Sequence, residues 1–200
     1  MDVYFSADVE TDGPIPGQFS ILSLALVYAG RFDGARFYRP TKYDKHFYRE
    51  VCPISSEFEP EALAVNGLDR NRLIVEGGNP IQVMSDAAEW VNDIAGQDKP
   101  VMVAYPLSFD WTFLYWYFVR YSKHGSPFGH SRCFDIKTAF ALKAGIPMSE
   151  AGLANVYPTL RPDTSHTHNA LDDAIEQAAI FANVFEWKGV KSADDRESAY

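Results

Sequence analysis

The sequence predicts an α/β domain on a mixed sheet: an antiparallel meander of about three strands, then parallel strands, with helices on both faces. Three observations predict it. The first quarter of the chain carries apolar runs and aromatic–polar alternation rather than a helical period. The remainder alternates helical patterns with short apolar runs, as a buried parallel sheet requires. Finally, 200 residues with 46% hydrophobic and 14% aromatic content can bury a single sizeable core.

The elements follow in order. Residues 3–9 and 19–30 read as long strands, the second closing on Gly30. Between them, "GPIPG" at 13–17 is a tight loop by its Gly and Pro content. Residues 35–40 and 45–53 alternate aromatic with polar side chains, as half-buried strands do. "EPEALAVNGL" is a short helix ending at Gly67, and "IQVMSDAAEWVNDIAG" a longer amphipathic one ending at Gly96. "KPVMVAYP" is a buried strand, followed by an aromatic helix over 108–122 with Ser108 as its N-cap. "CFDIKTAFALKAG" is a strand running into a helix, and "HNALDDAIEQAAIFANVFEW" is the last long helix. No linker or repeat divides the chain, so residues 1–188 form one domain and 189–200 a polar, flexible tail.

Composition narrows the class. Eighteen basic against 27 acidic residues give a formal charge of −9, which argues against a nucleic-acid coat protein. That inference weakens if carboxylates are gathered around cations, which invert the local field. Cys52 and Cys133 cannot alone build a disulfide framework or a zinc site, and they read as small apolar side chains. No signal peptide and no apolar run of membrane-spanning length is visible, so a cytoplasmic protein without membrane contact is expected.

The chemistry sits in three acidic clusters. Asp8 and Glu10 are i and i+2 on a strand, so both carboxylates face one side. Asp110 lies in the first turn of the aromatic helix, about a hundred residues on. His168 precedes the last helix, and Asp172 and Asp173 sit in its first turns, where the helix dipole tolerates negative charge. Taken singly, each cluster has an ordinary reading: a surface strand pair, a helix cap, a polar helix entrance. The aromatic run 111–121 reads as core, with a dimer face or base stacking as its alternatives.

Taken together, "ADVETDGPIPG", "SFDWTFL" and "HNALDDA" resemble the three motifs of the DEDDh 3′→5′ exonucleases, the group of polymerase proofreading exonucleases and oligoribonuclease. The resemblance runs from about residue 3 to 187 and extends to "EALAVNGL", similar to a short helix those enzymes carry. It departs where the family often has an Asn ahead of the second-motif Asp; here Tyr105 and Pro106 stand. Spacing from His168 selects Asp173 over Asp172.

The resemblance implies a ribonuclease H-like fold and metal-dependent hydrolysis of 3′-terminal phosphodiesters of single-stranded DNA or RNA. It implies two divalent cations, Mg²⁺ or Mn²⁺, whose preference for hard oxygen donors fits the carboxylates. Asp8 would bridge both ions, Glu10 and Asp173 would hold the ion carrying the attacking water, and Asp110 would serve the second. His168 would be the general base, a role that the imidazole side chain as a type suits at neutral pH. Thr11, Asp12 and Gly13 would meet the 3′-terminal nucleotide, and Phe109 or Phe113 would stack on bases. Two other readings compete: a nuclease-like module that holds nucleic-acid ends without cutting, and a small-nucleotide phosphohydrolase. A homodimer is compatible with the aromatic surplus.

Overall fold

The structure, a computed structural model, describes residues 1–162 and 167–190. Strand β1 (Asp2–Thr11) is the middle of the sheet. On one side it pairs antiparallel with β2 (Ile21–Phe32), and on the other parallel with β5 (Lys99–Ala104). β6 (Cys133–Asp135) extends the parallel half beyond β5. The mixed architecture is the expected one.

The meander differs in detail. β3 (Phe37–Tyr38) and β4 (His46–Glu50) both pair with β2, at opposite ends of the same edge. They act as one interrupted third strand. The break falls in the polar stretch at residues 39–45, which contains Pro40 and offers no ladder-forming pattern.

Among the described residues six α-helices cover the sheet: α1 (Pro60–Asn66), α2 (Arg70–Glu76), α3 (Pro80–Ala95), α4 (Leu107–Tyr121), α5 (Ile136–Ala144) and α6 (Ala170–Glu186). The two-residue strand period sorts the core. Val3, Phe5, Ala7 and Val9 of β1 point into a core shared with α3 and α4. Tyr4 points the other way, into a core shared with α5 and α6. Asp8 and Glu10 are in phase with Tyr4, so their side chains face the α6 layer. α6 approaches closely because its buried face carries Ala170, Ala174 and Ala178.

Two boundaries depart from expectation. α4 begins at Leu107, so Ser108 lies inside the helix and is not its cap. The first amide is satisfied from outside, with Leu107 N–H donating to Asp135 Oδ2 at 2.7 Å. At the far end the chain stays packed past residue 188. Val190 N–H donates to the Lys143 carbonyl at 3.0 Å, and Lys143 Nζ donates to the carbonyls of Val184, Phe185 and Trp187 at the end of α6. The rest of the expected tail, 191–200, lies outside the described residues.

Candidate active site

The site forms where β1 outruns its neighbour. β5 pairs with β1 only as far as Val103 opposite Ser6. Beyond that the chain turns through Tyr105 and Pro106 into α4, leaving the last residues of β1 without a strand on that side. The first turn of α4 fills the gap: Val9 N–H donates to Asp110 Oδ1 at 3.0 Å, in a buried setting. Asp110 therefore stands between Asp8 and Glu10 along the strand, although it comes from a different element.

α6 supplies the other half. Asp173 is buried in its first turn, where Thr167 N–H donates to Asp173 Oδ1 at 2.9 Å. Asn169 caps the helix, accepting from Leu171 N–H at 3.0 Å. Asp172 is exposed, whereas Asp173, the member that spacing selects, faces the cleft. Carboxylate oxygens of Asp8, Glu10 and Asp173 all lie within 4.8 Å of one another. His168 lines the same cleft of about 260 Å³ as Asp8, Glu10, Asp110 and Asp173. It is exposed and sits at φ 55°, a left-handed conformation uncommon outside glycine. All five expected catalytic residues thus converge.

Crowding so many carboxylates has an electrostatic cost. Burial first, then the charges of Asp110, Glu10 and Asp173, pushes the Asp8 carboxyl well above its ordinary range. Burial, then Asp173 and Asp110, raises Glu10 to about 8. Burial raises Asp110 to about 7, against the opposing pull of the Val9 amide. Such a cluster is electrostatically incomplete, and divalent cations with oxygen preference match it in charge and donor type.

One further residue touches the cluster. Gln177, buried one turn beyond Asp173, donates from Nε2 to Asp8 Oδ1 at 2.7 Å and accepts from Tyr105 N–H through Oε1 at 2.7 Å. No motif marks it. Its only sequence signal is the i+4 spacing from Asp173, which places both on one helix face.

A second groove of about 380 Å³ adjoins the first, with Val9, Glu10 and Phe109 lining both. Its walls include Thr11, Gly13, Ala62, Val65 and Asn66 and are mainly apolar. Among the expected substrate contacts, Phe109 is 40% exposed and faces both cavities. Gly13 packs against the Phe19 ring so closely that a Cβ would collide with it. The Thr11 hydroxyl is spent on the Gly13 carbonyl at 2.8 Å. Two expectations fail on geometry. Phe113 is fully buried in the core beneath α4 and cannot stack on a base. Asp12 is also fully buried, with its carboxylate bonded to Ser20 N–H and to Arg70 Nε at 2.8 Å.

Comparisons with known proteins identify the family. The family model described as "Exonuclease" (RNase T) matches residues 6–181. The 3′–5′ DNA exonuclease Cap18 of Escherichia coli is 32% identical over 194 residues, spanning 96% of this chain and 97% of its own. Ribonuclease T of Escherichia coli is 26% identical over 187 residues, spanning 90% of this chain and 84% of its own. The nuclease domain of 3′hExo, a DEDDh family member bound to rAMP, superposes with a TM-score of 0.67 at 15% identity, covering 94% of this chain and 95% of that one. Exonuclease I of E. coli in complex with a dT13 oligonucleotide gives a TM-score of 0.62 at 13% identity, covering 94% of this chain and 42% of that one. No helix among the described residues is long and apolar enough to cross a membrane. With three acidic motifs and a histidine brought to one cleft on a ribonuclease H-like sheet, the chain belongs to the DEDDh family and is a 3′–5′ exonuclease acting on nucleic acids.

Proposed function

We propose that the protein removes nucleoside 5′-monophosphates from the 3′ end of single-stranded nucleic acid, with Asp8, Glu10, Asp110 and Asp173 holding two divalent cations, Mg²⁺ or Mn²⁺. DNA is the favoured polymer, because the 32%-identical relative is named for DNA. The observation that carries the reading is the convergence of Asp8, Glu10 and Asp173 oxygens within 4.8 Å. When bound, a metal pair of this kind lowers the pKa of water and neutralises charge on the attacking and leaving oxygens.

The chain's own residues do the rest. Asp8 would serve both ions, Glu10 and Asp173 the ion that carries the attacking water, and Asp110, in the same cleft, the second. His168 is exposed and lines the same cleft as the carboxylates. It accepts the proton of the attacking water as general base. The adjoining apolar groove receives the terminal nucleoside, and Phe109, at the border of both cavities, stacks against a base. Few cations line either cavity, so binding rests on metal–phosphate contacts and stacking rather than on a basic surface.

Incubation of the protein with 5′-labelled single-stranded DNA and RNA oligonucleotides tests this, in Mg²⁺, in Mn²⁺ and in chelator. The expected result is a ladder shortening from the 3′ end, faster on DNA, absent in chelator and absent in Asp8→Ala. Cleavage that persists in chelator would sink the metal mechanism. A uniform preference for mononucleotide esters would favour a small-nucleotide phosphohydrolase instead.

A further inference from the structure

We propose that Gln177 is a positioning residue: its amide fixes the Asp8 carboxylate in the orientation that holds metal. The inference rests on the metal reading above and names a residue outside the motifs. Its two hydrogen bonds determine its orientation without ambiguity. The Tyr105 N–H can only donate, so the oxygen of the amide must face it. The Nε2 hydrogens therefore face Asp8, and Asp8 Oδ1 must accept. One lone pair of one oxygen is thereby occupied, and rotation of the carboxylate about its own axis is blocked. The remaining lone pairs are left for ions.

The same side chain couples three elements. Gln177 belongs to α6 with Asp173, Asp8 belongs to β1, and Tyr105 leads from β5 into the helix that carries Asp110. A carboxylate among other buried carboxylates would otherwise turn toward whichever donor is nearest. Gln177 supplies a neutral donor at that point and adds no charge to the cluster. A glutamine that merely satisfied the Tyr105 amide would need only its oxygen. Here the nitrogen is used as well, on the central ligand of the site.

The test separates the two ends of the amide. Gln177→Glu keeps an acceptor for Tyr105 N–H and loses the donor to Asp8. Gln177→Met has similar length and loses both. Near-ultraviolet circular dichroism checks folding, and isothermal titration with Mn²⁺ alone measures metal affinity without turnover. Both variants are expected to bind Mn²⁺ about 10- to 100-fold more weakly than wild type, as loss of a partner to a metal ligand does. The metal concentration for half-maximal rate should rise in parallel. If Gln177→Met does not fold, Gln177→Glu decides alone. Wild-type Mn²⁺ affinity in folded variants would overturn the positioning role while leaving the metal reading intact. Absence of Mn²⁺ binding by the wild type would overturn the metal reading, and this inference with it.

Discussion

The roles proposed for His168 and Asp110 make different demands on the fold. The His168 ring is exposed, so its removal costs the fold little. Its backbone, at φ 55°, is the demanding part. Asn tolerates that conformation better than most residues but cannot act as a base. We expect His168→Asn to melt within about a degree or two of wild type, as exposed substitutions do. Its kcat should fall by about 10²- to 10⁴-fold, the worth of a general base. Steady-state kinetics on a short DNA oligonucleotide checks this, and a loss of only a few fold would remove His168 from the role. Asp110 does two things: it accepts from Val9 N–H and adds charge to the cluster. Asp110→Asn keeps an oxygen for Val9 and removes the charge. It should therefore unfold at the same temperature or higher without metal, yet lose activity. A marked drop in its melting temperature would mean the charge itself supports the fold. At this scale the convergence of the five motif residues on one cleft was legible because spacing carries it. Phe113 was misread because it lies three positions after Asp110, on the same inward helix face, whereas Phe109 lies outside that face. Gln177 was invisible because no motif includes it.

At the scale of elements, the groove beside the acidic cluster depends on how α1 is tied to the end of β1. Glu59 N–H donates to the Asp12 carbonyl at 2.8 Å, and Asn66 Nδ2 donates to the Thr11 carbonyl at 3.0 Å. Below them the buried Asp12–Arg70 ion pair joins the strand end to α2, and Arg70 also bonds the Ser55 carbonyl and lies over the Phe58 ring. Asp12 is therefore a brace for the groove wall rather than a contact with the substrate. Arg70→Ala would leave the Asp12 charge buried without its partner, a change that costs about 3–5 kcal/mol. Urea denaturation should show that loss, and KM for oligonucleotides should rise more than kcat falls, because the wall moves and the carboxylates do not. Stability within about 1 kcal/mol of wild type would show that water replaces the guanidinium and that the brace is not needed. Neither α2 nor the brace was legible in the sequence. α2 is seven residues long, and its apolar Ile74 and Val75 are exposed, so no amphipathic period announces it. α3 and α6 were legible because length and apolar period agree there, and α1, though short, because Gly67 closes it in the left-handed conformation.

Across the whole molecule, aromatic surplus and acidic charge find different uses. The largest fully buried side chains are Tyr117, Tyr157, Phe5, Phe113, Phe118, Phe128, Phe140 and Phe181, so most of the aromatic content is spent in the two cores. The acidity is not spread evenly either, because Asp8, Glu10, Asp110 and Asp173 are pressed into one cleft. This makes the fold's stability depend on pH in a direction opposite to that of ordinary paired carboxylates. Asp8, Glu10 and Asp110 have pKa values raised in the folded state, Glu10 to about 8 and Asp110 to about 7. The folded protein therefore holds protons that the unfolded chain, with carboxylates titrating near 4, has already released. By linkage, the stability associated with these groups is fully present at low pH and is lost as pH rises through their folded values, from about 4 to about 8. Asp33 and Asp98 run the other way, lowered by the Arg36 amide and by the N-terminal ammonium respectively, but both are solvent-screened and weigh little. Calorimetry in chelator should show the melting temperature falling between about pH 5 and pH 8. Saturating Mg²⁺ should restore it, and by more at pH 8 than at pH 5, since ions bind the deprotonated cluster. Glu10→Gln should flatten part of the metal-free slope. A metal-free melting temperature that rises over this range, or a Mg²⁺ gain equal at both ends, would mean that the carboxylates are not held apart from solvent as this cleft requires.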